Sequence, residues 1–292
     1  MRPTRSLLLG VPTLAALAAA TALAGCRRDD GPLFRALDAE RTGIDFANTL
    51  AESPSFNILN YLYYFNGAGV AAGDVNGDSL PDLYFSSNEN GGRLYLNRGG
   101  LRFEDATDAA GVRGTGNWTN GVTFADVNAD GRLDLYVCHL GGYLDRRGRN
   151  ELFVNEGADA NGVPAFTERA AEYGLDFEGY ATHAAFFDYD RDGDLDAYLL
   201  NQATHTERSY APASESRQRD PRSSDRLMRN DGTPQEPRFV DVSEAAGLVR
   251  LEHAERHARL QPHGADALHH GADRVHVAVL RVAPGRPHAE AL

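Results

Sequence analysis

The sequence predicts an all-β fold made of repeated four-stranded blades of the β-propeller type, with about three blades and hence an incomplete propeller. A nine-residue acidic segment occurs three times, short β-prone runs surround each copy in the same order, and Gly, Asn and Asp separate those runs. The copies begin at residues 74, 126 and 188, so the repeats are 52 and 62 residues apart. That spacing suits a blade of four short strands.

Each acidic segment places an oxygen-bearing side chain at its positions 1, 3, 5 and 9. Four such ligands on one tight loop favour a hard cation, and Ca²⁺ fits this donor set best. The sequence therefore predicts about three structural calcium sites. Their candidate ligands are Asp74, Asn76, Asp78, Asp82, Asp126, Asn128, Asp130, Asp134, Asp188, Asp190, Asp192 and Asp196.

Two alternatives compete with this interpretation of the loops. An EF-hand needs a glutamate at position 12, but Phe85, Val137 and Leu199 stand there within β-prone runs. Acidic turns without metal also cap hairpins, yet carboxylates about 4 Å apart repel by roughly 1 kcal/mol per pair even in water. Keeping the same crowded arrangement three times favours a bound cation.

The residue after position 5 of each loop sets how sharply the backbone turns. It is glycine in two loops, Gly131 and Gly193, but Ser79 in the first. Glycine adopts the left-handed backbone of a sharp turn without steric cost. We therefore expect the first loop to be the most strained of the three.

The later repeats are longer than the first between their second and third β-prone runs. The longest insertion, Asn201 to Asp225, is rich in Ser, Arg and Pro and is predicted to be a solvent-exposed loop. Cys138 lies in a β-prone run, and we expect a buried free thiol there.

The formal net charge is −13, and every basic residue is arginine because the chain has no lysine. Nucleic-acid binding relies on clustered basic residues that neutralise phosphates, so this balance argues against it. Bound divalent cations would offset part of the acidic charge in the loops.

Residues 1–26 have the features of an export signal. Arg2 and Arg5 precede an apolar run from Leu7 to Leu23, and Leu23-Ala24-Gly25-Cys26 resembles the lipobox of bacterial lipoproteins. The resemblance implies that Cys26 is lipidated and becomes the mature N-terminus, anchoring the protein in the outer membrane or at the cell surface. The alternative is an ordinary secretory signal with an incidental cysteine.

Residues 27–55 form a polar tether and a leading segment before the repeats, which occupy 56–248. The run from Phe56 to Phe65 is dense in aromatic residues. Such a run serves as a binding platform in some proteins, but a buried strand or packing hairpin is the favoured interpretation.

The tail, residues 249–292, breaks the repeat pattern. It holds seven of the ten histidines, has no Phe, Tyr, Trp or Asn, and lacks a fourth acidic loop. The histidine spacings fit no compact transition-metal site. We interpret the tail as a disordered or out-of-frame His- and Arg-rich segment.

The repeats resemble the FG-GAP/VCBS class of calcium-binding propeller repeats. The segment Thr42-Gly43-Ile44-Asp45-Phe46, which leads into Asn66-Gly67-Ala68-Gly69-Val70, is similar to bacterial surface lipoproteins of the ASPIC/UnbV type. This resemblance implies a seven-bladed propeller with a further C-terminal domain, of which this chain would be an N-terminal fragment.

The leading functional hypothesis is a non-enzymatic, lipid-anchored, calcium-binding propeller that binds glycan or protein ligands at the cell surface. No nucleophile, zinc or phosphate-binding motif occurs in the sequence. The alternative is a polysaccharide-active hydrolase or lyase in which His183, Asp145 or Glu151 act as acid or base, although no spacing pairs these residues.

Overall fold

The computed structural model describes residues 34–115, 117–203 and 221–248. Three four-stranded antiparallel sheets follow one another along this part of the chain, and each is a meander of consecutive strands apart from one inserted hairpin. We call them blades 1, 2 and 3. The prediction of an all-β fold with three four-stranded blades is confirmed.

The strands agree closely with the β-prone runs of the sequence. Blade 1 contains β1 Val70–Gly73, β2 Asp82–Phe85, β3 Arg93–Asn97 and β4 Phe103–Asp105. Blade 2 contains β5 Thr119–Ala125, β6 Asp134–His139, β9 Glu151–Ala158 and β10 Pro164–Glu168. Blade 3 contains β11 Ala181–Phe187, β12 Asp196–Asn201, β13 Arg226–Asn230 and β14 Phe239–Asp241. The extra length of blade 2 forms a hairpin of β7 Gly141–Tyr143 and β8 Arg146–Arg147.

The first strands of the three blades, β1, β5 and β11, lie side by side. The Asn120 side-chain amide donates to the Ala181 carbonyl at 2.6 Å, and the Thr123 hydroxyl donates to the Ala184 carbonyl at 2.7 Å. Gly121 permits this approach, because a Cβ there would lie 2.3 Å from the Thr182 carbonyl oxygen. The blades thus converge along their first strands.

Apolar side chains fill the space between neighbouring blades. One cluster joins blade 1 to blade 2 through residues such as Tyr84, Leu94 and Leu135, and another joins blade 2 to blade 3 through residues such as Leu152 and Leu199. Burying these faces supplies the main driving force for packing the sheets. Cys138 lies in the second cluster as a fully buried free thiol, which confirms its prediction, and burial raises its pKa.

Three helices of one turn each were not predicted from the sequence: α1 Ala39–Thr42, α2 Thr107–Ala110 and α3 Ala170–Tyr173. Each ends at a glycine with a left-handed backbone, which is a common helix stop. The glycine after α1, Gly43, lies against the Phe103 carbonyl of blade 1, and the one after α3, Gly174, lies against the Phe239 carbonyl of blade 3. The leading segment therefore packs on blade 1 much as α3 packs on blade 3.

The aromatic run from Phe56 to Phe65 is mainly a packing element, as predicted, but it forms successive turns and not a strand. Phe56, Tyr61 and Tyr64 are buried against Trp118, with the Phe56 and Trp118 rings 4.7 Å apart. We call this group the aromatic cluster. It also includes Leu140 and Tyr180.

Several predicted features lie outside the described residues. These are the signal segment with Cys26, residues 204–220 of the long insertion, and the tail from 249 to 292. Within the described ranges, no helix has both the length and the apolar character needed to cross a membrane.

Candidate functional site

The three acidic loops occupy equivalent positions, because each connects the first strand of its blade to the second. The loops consequently lie at the same end of the three sheets, and the residue at position 9 begins the second strand each time. Each copy of the sequence pattern thus forms the same connection between two strands, once in each blade.

The carboxylate at position 9 connects two parts of each blade. Asp134 is fully buried, and its two oxygens accept the Val127 amide at 2.9 Å and the Asn155 amide at 2.8 Å. Asp82 and Asp196 accept the corresponding pairs of amides. This residue therefore ties the loop to the third strand, a role that the ligand pattern alone did not predict.

The carboxylate at position 1 organises the turn itself. In the second loop, the two oxygens of Asp126 accept the amides of Asp130 at 3.0 Å and Gly131 at 2.9 Å. The Asn128 side-chain amide donates to the Asp130 carboxylate, and the side-chain carbonyl oxygen of Asn128 accepts the Asp130 backbone amide. The polar side chains of the loop are thus gathered around its interior.

The backbone after position 5 is left-handed in all three loops. The φ angles are 67° at Ser79, 86° at Gly131 and 99° at Gly193. A left-handed backbone costs a residue with a Cβ atom roughly 1–2 kcal/mol. Ser79 bears this cost in the first loop, but Ala129 (φ 52°) and Arg191 (φ 68°) bear it in the second and third loops, where the first has Gly77. Each loop thus has one strained residue, and the expectation that the first loop is the most strained is wrong.

The third loop brings three carboxylates together. Each of Asp188, Asp190 and Asp196 offers an oxygen, and these atoms lie within 4.8 Å of one another. Calcium binds oxygens at about 2.3–2.6 Å, so two ligands across one ion stand up to about 5 Å apart. The spacing fits a calcium ion, and within the described residues this is the one acidic, His or Cys cluster so close. Asp192 is not a member of this set.

Asp194, at position 7 of the same loop, adds an acidic side chain that the ligand pattern did not include. Its Oδ1 atom is buried and has no hydrogen-bond partner among the described residues. Burial, together with the negative charges of Asp192 and Asp196, raises the pKa of Asp194 to about 6. Burial and the same neighbours also raise the pKa of Asp190. A cation would relieve this crowding of like charge.

The pKa values of two position-9 residues are raised as well. Burial raises the pKa of Asp134 to about 7, with amide hydrogen bonds opposing the shift and the charges of Asp130 and Asp126 adding to it. Burial likewise raises the pKa of Asp82. Without a cation, burial disfavours the ionised form of these carboxylates.

The acidic loops also touch the neighbouring blade. The Asn76 side-chain amide donates to the Gly162 carbonyl in the β9–β10 turn of blade 2 at 3.1 Å. A fixed conformation of the first loop therefore also holds a contact between blades 1 and 2 in place.

A cavity of about 700 Å³ lies at the opposite end of the sheets from the acidic loops. In a meander, the β2–β3 type of connection and the link to the next blade share the end that the first hairpin does not occupy. The cavity is lined by residues from those connections, including Arg113, Thr115, Asn117, Arg147 and Arg149.

A buried polar chain borders this cavity. His139 Nε2 lies 2.8 Å from Glu151 Oε2, and His139 Nδ1 lies 3.2 Å from the Thr119 hydroxyl. The Thr119 hydroxyl also donates to the Asn117 carbonyl at 2.9 Å. Thr119, His139 and Glu151 therefore form one hydrogen-bonded chain.

The residues proposed for an enzyme are not joined by any hydrogen bond or ion pair within the described part of the chain. Glu151 pairs with His139, Asp145 is ion-paired to Arg146 at 3.3 Å, and His183 lies on β11. No spacing in the sequence indicates the His139–Glu151 pair, because its members lie on two strands, β6 and β9, that are separated by the inserted hairpin.

Comparison with known proteins agrees with the geometry of the loops. The FG-GAP-like repeat family matches residues 74–137, which include the first two acidic loops. Cartilage acidic protein 1 of Xenopus tropicalis is 30% identical over 142 residues, covering 48% of this chain and 20% of that protein. The human protein of the same name is 41% identical over 73 residues, covering 25% of this chain and 11% of the relative.

The mouse protein of this name is 30% identical over 141 residues, which is 48% of this chain and 20% of the relative. The matching part thus spans about a fifth, or less, of the length of these relatives. Residues 74–137 form an FG-GAP-like repeat, carried on an all-β fold of propeller type.

Proposed function

We propose that this protein is an exported, calcium-stabilised binding protein of propeller type, held at the cell surface by a lipid on Cys26. Its acidic loops serve folding, and its recognition of a glycan or protein ligand takes place elsewhere on the blades. The chain would act without catalysing a reaction on its ligand.

One observation carries the calcium part of this proposal. The carboxylates of Asp188, Asp190 and Asp196 converge within 4.8 Å on a loop that recurs in each blade. The buried, unpartnered oxygen of Asp194 and its raised pKa add a second reason for a cation there. In the first two loops, Asn76 and Asn128 supply an amide oxygen where the third loop has Asp190.

Isothermal titration of the calcium-free protein with CaCl₂ tests this part. We expect about three sites, with dissociation constants of about 10⁻⁴–10⁻³ M as in other extracellular calcium modules. The double variant Asp188→Asn/Asp190→Asn should lose one site. A titration of the native chain that shows no heat of binding would contradict the assignment. So would an unchanged number of sites in the variant.

The anchor rests on the basic and apolar residues that precede Leu23-Ala24-Gly25-Cys26. Two or more acyl chains give stable membrane attachment, whereas one chain is marginal. Expression in a bacterium fed an alkyne-labelled fatty acid should label the protein, and Cys26→Ser should abolish the label. Labelling that persists in this variant would rule out Cys26 as the modified residue.

A second candidate, a hydrolase or lyase, draws on Glu151, because this carboxylate lines the cavity and is hydrogen-bonded to His139. The binding function is favoured, since the acid and base candidates of the sequence do not pair. Reducing-end release from polysaccharides, measured for the protein and for Glu151→Gln, separates the two. Release that Glu151→Gln abolishes would establish the enzyme.

A further inference from the structure

We propose that the cavity between the ends of blades 1 and 2 is a binding site for a glycan that carries a carboxylate, such as a uronic-acid oligosaccharide. The inference rests on the proposed binding function and names the ligand class and the residues that recognise it. The acidic loops take no part, because they lie at the other end of the sheets.

The inserted hairpin supplies Arg147 to the lining of this cavity. Blade 1 has no counterpart of β7 and β8, which fall between the second and third strands of blade 2. The lining residue Arg147 thus comes from an insertion that blade 1 lacks, whereas the acidic loop is present in all three blades. The cavity volume of about 700 Å³ falls within the range of about 300–1,000 Å³ that is typical of ligand sites.

The aromatic cluster holds the hairpin in place. The Arg146 guanidinium lies over the Phe56 ring, 4.1 Å from its centroid, and the Tyr143 hydroxyl donates to the Asn60 carbonyl at 2.6 Å. Neighbouring residues of a strand point to opposite sides. With Arg146 fixed on the aromatic side, Arg147 is directed to the cavity, which it lines.

Arg147 is the cation available to a ligand. Two other arginines of the cavity are already neutralised, since Arg113 pairs with Asp108 at 2.6 Å and Arg149 pairs with Asp176 at 2.6 Å. Arg147 has no ion pair or side-chain hydrogen bond with any residue in the described ranges. A guanidinium of this kind is suited to a carboxylate, which it can bind through two hydrogen bonds.

Glu151 supplies the complementary acceptor. The side chain is buried, with an exposed fraction of 9%. Its Oε2 atom is bonded to His139, and its Oε1 atom makes no hydrogen bond to the described residues. With Oε2 bonded to His139, Oε1 remains free to accept a hydroxyl of a ligand in the cavity. An acceptor that is open to the cavity and not used by the protein is available to a ligand hydroxyl.

Together these groups match one negative charge surrounded by hydroxyls. Thr115 and Asn117 add further polar contacts on the same lining. An acidic peptide fits less well, because its several carboxylates would face Asp108, Asp176 and Glu168, which also line the cavity. A sugar with one carboxylate and several hydroxyl donors fits better.

Calorimetric titration of the full chain, saturated with CaCl₂, tests the inference. The probes are three trisaccharides that each contain one uronate, galacturonate, glucuronate or guluronate, joined to two neutral sugars, and each is compared with its methyl ester, which removes the negative charge. We expect at least one trisaccharide to bind, its ester to bind at least tenfold more weakly, and Arg147→Gln to weaken binding at least tenfold. Arg102→Gln is the matched control, because Arg102 is exposed in the β3–β4 turn at the other end of blade 1 and should leave binding unchanged.

No binding by any of the three trisaccharides overturns the inference, and so does equal binding by the protein and Arg147→Gln. Preferential binding of a tri-glutamate peptide would replace the glycan with an acidic peptide and also overturn it. Thermal melting with and without CaCl₂ is recorded on the same samples. A calcium shift without sugar binding refutes this inference alone, whereas loss of the calcium shift refutes the proposed calcium-stabilised fold.

Discussion

The side-chain amide of Asn155, in the third strand of blade 2, donates to the backbone carbonyl of Val75 in the acidic loop of blade 1 at 2.8 Å. The same amide group donates to the backbone carbonyl of Leu133, in the acidic loop of its own blade, at 3.1 Å. One buried side chain therefore connects two acidic loops and two blades. Because Asp134 also accepts the Asn155 backbone amide, the conformation of the second acidic loop is coupled to the packing of blade 1 on blade 2.

Asn155→Ala should reduce the free energy of unfolding by about 2–4 kcal/mol, because it leaves buried carbonyls without donors. It also removes the acceptor of the Gly157 amide. Urea unfolding followed by circular dichroism measures the change. Asn161→Ala, at an exposed turn residue of the same blade, is the control and should change stability by less than about 0.5 kcal/mol. Equal effects of the two substitutions would contradict the coupling.

Ser79→Gly should raise the free energy of unfolding by about 0.5–1 kcal/mol, since it relieves the left-handed backbone at this residue. Ser79→Ala keeps the Cβ atom and should give no such gain. Comparing the two variants by thermal melting in CaCl₂ isolates the backbone effect. A stabilisation that is the same in both would assign it to loss of the hydroxyl instead.

In protein freed of divalent cations, Asp134 should make stability fall between about pH 4 and 7. Its pKa is about 7 in the folded chain and about 3.9 in an unfolded one. The folded state therefore binds more protons in this window, and stability from this group is lost as the pH rises through it. The comparison is between the native chain and Asp134→Asn in EDTA at pH 5 and 7.5. Parallel pH dependences of the two proteins would disprove this assignment.

His139→Ala should destabilise the fold by about 3–5 kcal/mol, because it leaves the buried Glu151 carboxyl without its partner. The double variant His139→Ala/Glu151→Ala should lose less than the sum of the single variants. Urea unfolding of all four proteins gives the coupling energy. Additive effects would mean that His139 and Glu151 do not stabilise each other.

The repeat pattern predicted the blades because each acidic loop fixes a strand on either side of it. Loop positions such as Asp126 and Asp130 could be recognised from their spacing alone. The partners of Asp134 could not, because Asn155 lies 21 residues away across an insertion of unpredictable shape. The His139–Glu151 pair was hidden for the same reason. The single-turn helices were missed because four residues carry too little periodicity to be recognised.

The most direct test of calcium stabilisation is the melting temperature of the full chain in 10 mM CaCl₂ and in EDTA. At tenfold saturation each site adds about 1.4 kcal/mol, so three sites add about 4 kcal/mol. For a protein of this size that corresponds to an increase of about 10 °C. The triple variant Asp74→Asn/Asp126→Asn/Asp188→Asn should lose most of the increase. Equal melting temperatures of the native chain in CaCl₂ and in EDTA would contradict stabilisation of the fold by calcium.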